Sequence, residues 1–119
     1  MPRLPRVRTP AERRYLAALA LGVALPYAQA LPWFAEHRLD VRRFLDEAFA
    51  TRISSFFGWD VLATSGTLLL LAATDVDLSR RQRAAIAVGA AGGSSVGLPL
   101  YLWIRARNQR IAAAAEPSQ

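Results

Sequence analysis

Apolar residues run in three long blocks, Tyr15–Phe34, Ile53–Thr74 and Ala84–Ile104, and the charges concentrate between them, in residues 3–14, 36–52, 75–83 and 105–116. Each apolar block is about 20 residues long, the length of α-helix that crosses a hydrocarbon core. Asp60 is the only formal charge inside any of the three. The pattern predicts transmembrane helices near residues 12–35, 53–74 and 82–106. It leaves residues 1–11 as a disordered basic tail and residues 107–119 as a C-terminal tail.

The stretch between the first two blocks has a different rhythm. Val41, Phe44, Leu45, Ala48 and Phe49 recur at three- and four-residue spacing, with Arg42, Arg43, Asp46 and Glu47 on the other side. That spacing predicts an amphipathic helix near residues 40–51, with Asp40 as its cap, lying in the interface plane. Thr9 followed by Pro10 marks the start of the first long helix, because threonine caps and proline suits the first helical turn. Pro26 and Pro32 fall inside that helix, where neighbouring helices are expected to satisfy the carbonyls they free. The fold class is therefore all-α: an integral membrane bundle of three transmembrane helices plus one short interfacial amphipathic helix.

Charge refines this picture. The 119 residues carry a formal charge of +6, and all 15 basic residues are arginine. They flank apolar blocks instead of clustering on one face, which points to membrane flanks and away from nucleic acid. With no cysteine, disulfide and thiol chemistry are excluded. The tail and the 75–83 block hold eight arginines against seven in the 36–52 block and the C-terminal tail. With three crossings, this places the N-terminus in the cytoplasm and the C-terminus on the far side. The basic start, the apolar run and Ala28-Gln29-Ala30 also match a cleaved signal sequence, but the apolar run continues through Phe34, so a retained helix is expected.

Two constellations stand out. Gly89, Gly93 and Gly97 repeat every four residues, which on one helix makes a groove where another backbone approaches closely. The second is Asp60. A central Asp opposes insertion by about 2.5–3.5 kcal/mol, roughly what the surrounding Leu, Ile, Phe and Val residues return. Such an acid is expected to face the bundle interior. Three antiparallel crossings put Tyr27, Gln29, Ser95 and Tyr101 in the same half of the membrane, so a buried polar cluster of Asp60, Tyr27, Gln29, Ser95 and Tyr101 is expected. Its role is structural, fixing helix register, or else functional, either as a proton, cation or polar-ligand site or with Asp60 as an acid acting on a lipophilic substrate. No catalytic residue is assigned. His37 is the lone histidine and reads as a polar flank, so neither a His/Cys metal site nor any cofactor is expected.

Four segments resemble the bacterial domain-of-unknown-function 2834 family of small three-span membrane proteins. They are Gly22–Tyr27, Phe34–Asp40, Phe49–Asp60 and Val96–Tyr101, and Ser54-Ser55-Phe56-Phe57 followed by Asp60 is the most specific part. Thr51 stands where Asn is expected and Arg38 where Gly is expected. The resemblance implies a retained first helix and a bacterial inner-membrane location, and it implies no activity. The expected function is a structural or self-associating membrane component. Its partners would be the lipid bilayer and either a homo-oligomer or a larger membrane complex. The alternatives are a small membrane enzyme acting on an isoprenoid-like lipophile and an accessory subunit of a transporter.

Overall fold

The computed structural model describes residues 8–116, so most of the tail expected over residues 1–11 lies outside the described residues. Among the described residues there are five helices and no strand: α1 (Pro10–His37), α2 (Val41–Ala48), α3 (Arg52–Thr74), α4 (Arg80–Ala91) and α5 (Ser94–Ala115). α1 starts where local chemistry favours a start. Thr9 Oγ1 accepts from the Glu12 amide, and the Glu12 carboxylate accepts from the Thr9 amide in return. Asp40 caps α2 by accepting from the Arg43 amide at 3.1 Å. Thr51 caps α3, a role that Asn would fill equally. Arg38, which ends α1, has φ 56° and ψ −147°, backbone space that favours glycine.

The continuous third crossing does not form. Its apolar run breaks at Gly92-Gly93, and α4 and α5 fold back on each other as an antiparallel hairpin. Gly93 has φ 120°, a conformation closed to most side chains, and this reverses the chain. At 12 residues, α4 is about 18 Å long, too short to cross a bilayer. The glycine spacing is corrected with it. Gly89, Gly93 and Gly97 do not line one helix face. Gly89 and Gly97 lie on opposite legs and let those legs touch, and Gly93 is the turn between them. A Cβ on Gly97 would meet the Leu68 side chain at 2.6 Å and the Ala90 backbone at 2.9 Å. Around this contact Leu68, Ala72, Ile86, Ala90, Tyr101 and Ile104 form the core.

The hairpin also reverses the direction of the last segment. α5 runs antiparallel along α1, with Ser95 against Gly22 and Arg110 against Glu12. The two ends of the described chain therefore share one end of the bundle, together with the Asp75–Ser79 connection, and the expected placement of the C-terminus at the α2 end is overturned. Tyr101 and Trp103 move with it toward the terminal end. At the α2 end, Phe44 packs on Trp33 and Phe34, and Phe49 packs on Trp59.

The packing of apolar residues is inverted relative to a water-soluble core. Leu25 is 67% exposed, Ile53 72% and Phe56 65%, on helices that bury little else. Two helices, α1 and α3, are long and apolar enough to cross a membrane.

Candidate functional site at the hairpin tip

The site grows from two prolines. Pro26 has no N–H, so the Gly22 carbonyl loses its partner within α1. Ser95 Oγ donates to that oxygen at 3.0 Å. Pro99 frees the Ser95 carbonyl in the same way, and this oxygen presses on Gly22, where a Cβ would lie only 2.0 Å from it. Each helix thus brings a proline-freed carbonyl to one crossing. One turn further along α1, the Tyr27 hydroxyl donates to the Gly92 carbonyl at 2.9 Å. These contacts pin the tip of the half-length hairpin to the middle of α1.

Beyond the tip no described helix lies between the two long helices. The backbones of α1 and α3 nowhere approach each other closely. A cavity of about 530 Å³ lies between them, within the range of small-molecule sites. Pro26, Tyr27, Ala30 and Phe34 form one wall, Val61 another, and Phe44 lies at the α2 end. The floor is the turn from Ala91 to Ser95. α5 starts there without a side-chain cap. Its first amides precede the first intrahelical bond, so they are donors at the positive end of the helix dipole. The chamber is apolar and aromatic on its sides, with hydrogen-bond donors at its base.

The five residues expected in one buried polar cluster are dispersed. Tyr27 and Ser95 meet at the tip, each bonded to a backbone carbonyl. Tyr101 is buried near the terminal end and donates to Asp75 Oδ2 at 2.8 Å. Asp60 and Gln29 are exposed on the surface of the single chain. The hairpin accounts for Tyr101, whose expected depth assumed that residues 94–104 run toward the α2 end when they run away from it; Asp60 and Gln29 point outward through the rotation of their own helices. Sequence reasoning passed over Gly22, Gly92 and Pro99. The signals were present, since Gly22 and Ser95 each stand four residues before a proline, and two adjacent glycines divide the third apolar run.

A second polar group braces the terminal end. Asp75 accepts from the Tyr101 hydroxyl and from the Asp77 amide. The Tyr101 bond foremost, then the Asp77 amide, and the charges of Arg105 and Arg83 hold the Asp75 carboxyl below its ordinary value, against the opposing effect of partial burial. The side-chain amides of Gln82 and Asn108 pair reciprocally at 3.0 Å across the hairpin legs. Among the described residues no group of three His, Cys, Asp or Glu side chains is placed to hold a metal ion.

No curated protein and no solved structure matches the chain. A family model described as "Protein of unknown function DUF2834" matches residues 14–107, which include the starts of α2 to α5, the glycine turn and the lining of the cavity. By that match the chain belongs to the DUF2834 family.

Proposed function

We propose that this protein is a component of the bacterial cytoplasmic membrane that holds a lipophilic molecule between α1 and α3, above the hairpin tip. The observation that carries the reading is the cavity of about 530 Å³ left because α4 is too short to fill the space between two long apolar helices. Exposed Leu21, Ile53 and Phe56 suit lipid contact. The walls suit a hydrocarbon body and rings, while the donors at the floor suit an acceptor oxygen at one end of the ligand.

Orientation follows from the same reversal. Nine described arginines (8, 13, 14, 80, 81, 83, 105, 107 and 110) belong to the terminal end, against Arg38, Arg42, Arg43 and Arg52 at the α2 end. Positive-inside counting over this topology favours a cytoplasmic location for the end of the bundle that holds Pro10 and Ala115.

Binding is favoured over catalysis because, among the described residues, the side-chain polar groups lining the cavity are the hydroxyls of Tyr27, Ser94 and Ser95, with no acid–base pair among them. The test is purification in mild detergent followed by mass spectrometry of co-purifying lipophiles, for the natural chain and for Ala30→Trp. The bulky indole should fill the chamber and reduce a specific lipophile at least tenfold. Identical lipophiles in identical amounts from both proteins would refute the reading.

A further inference from the structure

Asp60 and Gln29 are polar side chains left exposed well inside the two long apolar helices, and their placement is matched. Asp60 lies eight residues into α3 from Arg52, and Gln29 lies eight residues before the end of α1 at His37. Both are therefore about 12 Å from the α2 end. Ala30 and Val61 line the cavity from facing helices. Gln29 and Asp60 each immediately precede one of these, about 100° round its own helix. Because α1 and α3 are antiparallel, the same step in sequence carries both side chains to the same side of the molecule. Leu31 and Leu62, which follow the two lining residues, turn to the opposite side by the same rule, and both are exposed.

Among the described residues neither the Asp60 carboxyl nor the Gln29 amide has a hydrogen-bond partner. The Asp60 contact within the chain is through its main chain, whose carbonyl accepts from Thr64 Oγ1 at 2.7 Å. A carboxyl facing lipid at this depth is unfavourable, and a donor at equal depth relieves it. We infer that this side of the molecule binds a second copy of the same chain, with Asp60 of each copy accepting from Gln29 of the other.

The symmetry fits. Rotation by a half-turn about an axis parallel to the helices sets α3 of one copy against α1 of the other, and the reverse, at unchanged depth. One face then makes two identical Asp60–Gln29 pairs. Ala63 and Thr64, next to Asp60, are small enough for the helices to come close. The inference does not rest on the ligand: neither Gln29 nor Asp60 lines the chamber, and Gln29 borders a separate groove that shares Pro26, Ala30 and Phe44 with it.

The absence of native cysteine makes the test direct. Leu25 and Ala63 are exposed and lie one turn further from the α2 end than Gln29 and Asp60. A chain carrying Leu25→Cys and a differently tagged chain carrying Ala63→Cys are co-expressed and oxidised in native membranes. The mixed disulfide dimer should form, while the corresponding Leu31→Cys and Leu62→Cys pair should give at least tenfold less. Asp60→Leu in both chains should reduce the dimer at least tenfold, and Asp60→Asn should retain it because the amide still bonds Gln29. Asp60 is exposed in the single chain, so Asp60→Leu leaves the fold of each copy intact, which is checked by its detergent melting temperature. Equal cross-linking on both sides, full cross-linking of Asp60→Leu, or cross-linking to another membrane protein in place of a second copy would overturn the inference.

Discussion

Gly22→Leu is expected to lower stability by about 3 kcal/mol or more, at or above the top of the usual range for overpacking. The Ser95 carbonyl oxygen would lie 2.0 Å from even the first carbon of a side chain at position 22, and its carbonyl carbon 2.9 Å. Neither is the free end of a flexible group. The backbone of α5 would have to withdraw, breaking the Ser95-to-Gly22 and Tyr27-to-Gly92 bonds together. Pro26 leaves the Gly22 carbonyl no partner in its own helix, so that oxygen would be stranded in an apolar setting. Gly66→Leu is the matched control, since nothing lies within 4 Å of a Cβ there and the helix is already apolar. Thermal unfolding in one detergent should show a large loss for Gly22→Leu and no loss for Gly66→Leu. Similar curves for the two variants would mean that α1 does not rest on the hairpin tip.

Arg110→Met should cost about 3 kcal/mol, the lower part of the range for breaking a buried ion pair on one side. Glu12 is fully buried, and Arg110 Nε meets its Oε2 at 2.7 Å with little of the arginine side chain exposed. The Thr9 amide and hydroxyl also reach that oxygen, at 2.9 and 3.3 Å, and they remain in the variant to soften the loss. A pair removed whole behaves differently from a pair broken. Glu12→Leu combined with Arg110→Met should recover most of the stability, because no unpaired charge is left behind. Additive losses in the double-mutant cycle would show that the two residues act independently.

The starts of α1 and α2 were legible because they depend on neighbours in sequence. Thr9 and Glu12 satisfy one another, and the Asp40 carboxylate accepts from the Arg43 amide, each within a single turn. The fate of the third apolar run was not legible from its length. Residues 84–104 are as long and as uncharged as a crossing helix, and hydropathy does not distinguish a helix from two antiparallel legs. The distinguishing residues were Gly92 and Gly93, one of which reverses the chain at a positive φ, followed by serines that open a new helix. Every error downstream follows from that turn. Tyr101 was assigned to the wrong end, Ser95 was separated from its true partner Gly22, and the glycine repeat was laid on one helix when it bridges two. The inward-facing expectation for Asp60 failed for a different reason. Its neighbour Val61 faces the cavity, and one residue of helical rotation leaves the carboxyl outside.

The arginine count illustrates how a small error in topology hides a strong signal. Under three crossings the basic residues were almost evenly divided, and orientation rested on one arginine. With the hairpin, the three arginines at 105, 107 and 110 change ends and the imbalance becomes large. The folded-back run and the charge distribution thus support each other, although each comes from a different property of the chain.

The most direct test of the half-length hairpin is the side of the membrane on which each connection emerges. Single cysteines at Asp46, Val76 and Ala115, in a chain that has none of its own, are labelled in intact cells with a membrane-impermeant maleimide, before and after permeabilisation. Asp46→Cys should label in intact cells, while Val76→Cys and Ala115→Cys should both label only after the membrane is opened. Labelling of Ala115→Cys together with Asp46→Cys in intact cells, with Val76→Cys protected, would show that residues 84–104 cross the membrane and would contradict the folded-back hairpin.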